Sequence, residues 1–183
     1  MKENRSSSKK RVALTAPLAV GAAMLLVGCF SPMSGGGPRN TAQIPISATP
    51  IVTTNVRQSM EQFQGKVVIL DFWATWCGPC RSEIPGFIAL QNEYRDQGLE
   101  VVGVSIDPIA PQGGGAAAVE PFMKKFGVNY TIMMIQGQSA MAGYDVSQGI
   151  PTTYLVDRTG KITKTYVGSR SKTLFEQDLK QLL

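Results

Sequence analysis

A chain of 183 residues has room for one ordinary domain with some to spare, enough to bury a core without disulfide staples. Its formal charge of +5 is unevenly placed: before Cys29 stand five basic residues against one acidic, and from Cys29 onward the two signs nearly balance. The excess is a terminal tag and not a patch, so composition gives nucleic-acid binding no support.

The tag opens the chain. A basic head, KENRSSSKKR, precedes Val12–Val27, an uncharged and mostly apolar run followed by Gly28 and Cys29. That run is short for a bilayer span, which needs roughly 20 apolar residues, and it reads as a secretory signal. An uncleaved amino-terminal anchor is the alternative, and both readings put the rest of the chain outside the cytoplasm. Leu26-Val27-Gly28-Cys29 resembles the bacterial lipobox. The resemblance implies that residues 1–28 are a lipoprotein signal peptide, that Cys29 is the acylated first residue of the mature chain, and that its lipid holds the protein to a membrane. Residues 29–50 are rich in Gly, Ser, Pro and Thr without hydrophobic period, and read as a flexible tether. The folded domain is expected over 51–183.

Within it, Lys66–Trp73 (KVVILDFW) is a continuous apolar, β-branched run that suits a strand buried on both faces. Cys77–Gln97 has a helical pattern, with Phe87, Leu90 and Tyr94 on one face and Gly98 as its stop, and Pro85 should kink it. Leu99–Ile106 predicts a second buried strand, Pro111–Gly115 a flexible loop, Ala116–Phe126 a helix closed by Gly127, and Tyr130–Ile135 a short strand. Thr152–Val156, the turn residues 157–160 and Lys161–Val167 predict a hairpin. Lys172–Leu183 predicts an amphipathic helix with Leu174, Phe175, Leu179 and Leu182 inward. The order implies an α/β domain, a mixed sheet with helices on both faces. Met133, Met134 and Met141 read as core fillers.

Cys77 and Cys80 are the chemistry-bearing pair: with Cys29 lipidated, they are the only thiols left in the folded part. A Cys-x-x-Cys that opens a helix places its first sulfur where unpaired N–H groups and the helix dipole stabilise a thiolate. Cys77 is then the attacking nucleophile and Cys80, one turn inside and less exposed, the resolving thiol. With no histidine in the chain, acid–base work falls to carboxylates, of which Asp71 and Glu83 are the candidates. Asp71 lies inside an apolar run and reads as buried; Glu83, three residues beyond Cys80, shares its helix face.

DFWATWCGPC closely resembles the thioredoxin active-site stretch, Trp76, Gly78 and Pro79 included. Glu83 in the arrangement CxxCxxExP, the extra helix–strand segment 116–135 and the leader resemble one subset, the extracytoplasmic TlpA/ResA-like thiol–disulfide oxidoreductases of the thioredoxin-like superfamily. The resemblance spans about 51–183. It implies a thioredoxin-like sheet with a helix–strand insertion in its middle, and no cofactor beyond a redox-active Cys77–Cys80 disulfide. It implies that Asp71 takes the proton of the resolving thiol and that Glu83 tunes the thiols or handles protons. Many ResA-like relatives look to carry Asn at the place of Asp71, where this chain is thioredoxin-like. It also implies that Ile150-Pro151-Thr152 is the loop whose proline is cis, faces the dithiol and offers the Ile150 backbone to an extended client. Implied partners are exported proteins with cysteine pairs, such as apocytochrome c, and a membrane electron donor for recycling.

Other readings fit the residues less well. A structural disulfide over so short a loop constrains the unfolded chain little and explains neither Trp76 nor Pro151. Zinc prefers four Cys, His or carboxylate ligands, which leaves a metal site without its ligands. A thiol-dependent peroxidase is a rival because the insertion also resembles peroxiredoxins, although their Pro-x-x-x-Thr pattern before the cysteine is missing. A non-catalytic lipoprotein that presents a binding surface is the other.

Overall fold

The computed structural model describes residues 50–183 except Pro111. Cys29, the leader 1–28 and all of the tether but Pro50 lie outside the described residues. Six strands form one sheet: β1 (Ile51–Thr53), β2 (Val67–Trp73), β3 (Leu99–Ser105), β4 (Thr131–Ile135), β5 (Thr152–Val156) and β6 (Ile162–Val167). Their spatial order is β1-β4-β3-β2-β5-β6. The first four are mutually parallel, while β5 runs antiparallel to β2 and β6 antiparallel to β5. This is the mixed sheet the sequence implies.

Every residue of β2 and β3 is buried, as their unbroken apolar runs require. The period of two sorts β2 by face. Val67, Ile69 and Trp73 join the core formed with α2 (Gly78–Tyr94), α3 (Val119–Phe126) and α4 (Lys172–Leu179). Val68, Leu70 and Phe72 face the other core, which includes α1 (Val56–Ser59), Phe63 and Ala140. Asp71, between Leu70 and Phe72, therefore points to the α2 side, where the two cysteines lie.

The predicted elements appear with trimmed ends. Arg95–Gln97 and Gly115–Ala118 are 3-10 turns at the ends of their helices, and α2 continues through Pro85 without a break. β1 and α1, with the 3-10 turns Met60–Phe63, Asp107–Ile109 and Gln138–Met141, go beyond the sequence expectation. Asn55 caps α1 with its side-chain oxygen, which accepts from the Gln58 N–H at 3.0 Å. The hairpin turn is as expected: Asp157 Oδ1 accepts from the Thr159 N–H at 2.8 Å and the Lys161 N–H at 3.1 Å, and Gly160 takes φ of 86°.

Gly103, in the middle of β3, lies under the Trp73 indole. A Cβ there would stand 2.7 Å from Ile132 Cδ1 and 2.8 Å from Trp73 Nε1. Gly103→Ala should destabilise the domain by about 1–3 kcal/mol through overpacking, read as a lower urea midpoint at unchanged slope. A variant as stable as the parent would show that the sheet yields at this point.

Candidate active site around the Cys77–Cys80 pair

The chain leaves β2 at Trp73 and turns at once, the Cys77 N–H donating to the Ala74 carbonyl at 3.1 Å. Cys77 keeps extended backbone angles and caps α2: its Sγ accepts the Cys80 N–H at 3.2 Å, the role a serine or aspartate oxygen plays elsewhere. Gly78 and Pro79 follow in the first turn, where a missing proline N–H leaves no helical bond unmade. Cys77 and Cys80 are joined as a disulfide. Cys77 is 5% exposed and Cys80 1%, so Cys77 is the more accessible residue of the pair. Once reduced, Cys77 sits where the helix terminus favours its thiolate.

The Ile150–Pro151 peptide is cis, and the Ile150 carbonyl oxygen lies 3.8 Å from Cys77 Sγ. Pro151 is buried, and its carbonyl accepts the Gly168 N–H at 2.8 Å. Trp76, Gly78 and Pro79 are exposed next to the cap sulfur and Ile150 is half-buried. The structure thus brings the sequence-expected client-contact residues around one sulfur.

Both candidate carboxylates are buried. Asp71 Oδ1 accepts from Thr153 Oγ1 at 3.0 Å, across the β2–β5 pairing that sets these residues opposite each other. Burial, and then the charge of Glu83, push its pKa well above the usual aspartate range, against the Thr153 hydrogen bond. Burial raises Glu83 to about 7, although the Arg170 N–H donates to its Oε1 at 2.6 Å and works the other way. Its Oε2 is buried with no partner among the described residues. Burial and both carboxylates push the Tyr130 phenol up as well. Two carboxyl groups on the dithiol side of the sheet thus keep protons far above the ordinary carboxylate range, which suits them to exchange protons with a buried thiol.

Sequence reasoning missed Thr153, Tyr130 and the Arg170 and Gly168 N–H groups. The period of two in Thr152–Val156 could have found Thr153, because its alternate residues face the Asp71 side. Backbone donors carry no residue-type signal.

A central strand that leads into a cysteine-capped helix, a second cysteine one turn in and a cis Ile150–Pro151 peptide whose Ile150 carbonyl lies at the first sulfur together define a thioredoxin-fold thiol–disulfide oxidoreductase. The chain belongs to the Redoxin family, whose model matches residues 42–183, and within it is TlpA/ResA-like. It is 34% identical over 122 residues to the thiol–disulfide oxidoreductase ResA of Bacillus subtilis, covering 67% of this chain and 64% of that protein's own length. Among solved structures it is similar to a putative thiol:disulfide interchange protein DsbE from Chlorobium tepidum, with TM-score 0.58 and 32% identity over 67% of this chain and 84% of that one. It is also similar to an exposed lipoprotein thioredoxin from Streptococcus pneumoniae, with TM-score 0.59 and 27% identity over 67% of this chain and 90% of that one.

The Glu83 shift has a sign in stability. A carboxyl with a higher pKa folded than unfolded binds more protons in the folded state. Its contribution is full below 4.5 and is lost as pH rises toward about 7. The urea midpoint of the oxidised protein should therefore fall across that window, and Glu83→Gln should remove one proton's share of the slope while Asp71 keeps the rest. An unchanged slope in the variant would mean that Glu83 titrates as an ordinary surface acid.

Proposed function

We propose that the protein is a membrane-tethered reductant of disulfides in exported proteins. The observation that carries the reading is the placing of Cys77: the more exposed residue of the pair caps α2 with its sulfur, which lies 3.8 Å from the Ile150 carbonyl. The tether is the lipid on Cys29, a reading supported by the lipobox-like residues and by the likeness to the pneumococcal lipoprotein thioredoxin.

In the reduced enzyme the Cys77 thiolate attacks one sulfur of the client disulfide. A Cys77–client disulfide forms and the other client sulfur leaves as a thiolate. Cys80 then gives its proton to a carboxylate, Asp71 with Glu83 beside it, and attacks Cys77 Sγ. The Cys77–Cys80 disulfide forms and the second client thiolate departs. Two electrons pass from the dithiol to the client, and no cofactor beyond the pair itself is needed. A membrane electron donor restores the dithiol. Trp76, Gly78, Pro79, Ile150 and Pro151 hold the client chain, with the Ile150 backbone as its strand partner. Clients are exported proteins with cysteine pairs, apocytochrome c among them by the family resemblance. Gly-Pro between the thiols favours the reducing direction, since thioredoxin sits near about −270 mV.

The full chain should accelerate insulin reduction by dithiothreitol, and Cys77→Ser should abolish the acceleration. Alkylation against pH should titrate Cys77 below the ~8.5 of a free thiol and Cys80 above Cys77. Asp71→Asn should slow resolution of the mixed disulfide by about 10²-fold or more and leave its formation nearly unchanged. A potential near about −120 mV, that of a strong oxidant, would reverse the proposed direction, and peroxide consumption faster than insulin reduction would favour the peroxidase reading.

A further inference from the structure

Asp107 takes no part in the proton steps above, yet its side chain is wholly buried two residues beyond β3. Both carboxylate oxygens are engaged. Oδ2 accepts the Thr75 N–H at 3.0 Å and the Ser105 hydroxyl at 2.8 Å, and Oδ1 accepts the Thr75 hydroxyl. Just below, the Ile106 N–H donates to the Trp73 carbonyl at 2.9 Å. The backbone and side chain of Thr75 are thus held by one acid, immediately before Trp76 and Cys77. Burying a carboxylate is costly unless its lone pairs are met. What it provides is two oxygens that take three donors and fix Thr75 at two points, which a neutral apolar residue could not do.

The same segment meets the next residue. A Cβ on Gly113 would stand 2.7 Å from Trp76 Cδ1, and Gly113 holds φ of 78°, so the indole lies directly on glycine backbone. Trp76 remains 37% exposed and so offers apolar indole surface one residue before Cys77, whose Sγ has the Ile150 carbonyl 3.8 Å away.

We propose that Asp107 is a positioning residue for disulfide exchange: by anchoring Thr75 it seats Trp76 on Gly113 and fixes the aromatic wall against which an extended client polypeptide lies. The proposal rests on the disulfide-exchange reading and adds what selects the substrate. A protein client needs the wall as well as the sulfur, whereas a small disulfide needs only the sulfur. Asp107 and Gly113 therefore discriminate polypeptide from low-molecular-weight disulfides.

The test uses the full chain with two substrates, oxidised insulin and glutathione disulfide. Asp107→Ala should raise KM for insulin about tenfold, the loss expected for a charge-assisted hydrogen bond. Turnover of glutathione disulfide should stay within about threefold, a change under about 1 kcal/mol in barrier. Asp107→Asn, whose amide still accepts from the Thr75 N–H and can donate to the Thr75 hydroxyl, should restore insulin KM. Gly113→Ala, with Asp107 untouched, should raise it. Acrylamide should quench tryptophan more in Asp107→Ala than in the parent, and because Trp73 is buried the change reports Trp76. Equal loss on both substrates, failure of Asn to rescue, or unchanged quenching would overturn the proposal. Should Asp107→Ala not fold, Thr75→Val removes one of the three bonds and must move insulin KM and quenching in the same direction. A parent chain unable to reduce insulin would sink the client reading, and the quenching comparison would still decide on Asp107.

Discussion

The site depends on β2 being the most enclosed strand of the sheet, paired to β3 on one side and β5 on the other along nearly its whole length. A strand held by two ladders cannot slip by one residue without turning its whole apolar set to the wrong face. That register puts Asp71 on the helix side, opposite Thr153, and makes the chain leave the sheet where Cys77 can cap α2. Were β2 an edge strand, the carboxylate would be solvated, its pKa would relax and the sulfur would lose its fixed relation to the cis-proline.

Burial is also what sets the two carboxyl groups apart from ordinary acids. In water both would be ionised far below neutral pH and would hold no proton to exchange with a thiol. Taken out of water, Glu83 comes to about 7 and Asp71 higher than an ordinary aspartate. The Arg170 N–H and the Thr153 hydroxyl each work against the rise of the group they bind. In a chain without histidine, desolvation thus brings one carboxyl, Glu83, to about 7.

How much of this the sequence discloses depends on whether a feature repeats or stands next to its partner. KVVILDFW and LEVVGVSI show as buried strands because the pattern covers every residue, and Cys77, Cys80 and Glu83 show as one helix face because their spacing is local. β1 is three residues long and exists only by pairing with β4, some eighty positions later, so nothing in Ile51–Thr53 announces it. Asp107 is silent for a similar reason. VSIDPI reads as a strand running out into a loop, and two of the three hydrogen bonds to the Asp107 side chain come from Thr75, thirty-two positions earlier. The glycine run 113–115 signals a loop by composition, but only the fold brings Gly113 to Trp76. The leader and Cys29, the plainest signals in the chain, lie outside the described residues.

The helix–strand segment inserted between β3 and β5 is joined physically to the chemistry. β4 takes the place beside β3, so that β1 pairs with β4 and not with β3. From α3, Phe122 packs on the Trp73 ring with centroids 5.2 Å apart, and Trp73 is the last residue of β2, four before Cys77. The loop that leads into the insertion carries Asp107 and Gly113. The insertion and the loop that leads into it therefore reach the active-site turn at three points: Phe122 on Trp73, Asp107 at Thr75 and Gly113 under Trp76. A segment that only widened the sheet would need none of these contacts, whereas one that shapes the approach to the sulfur would need all three.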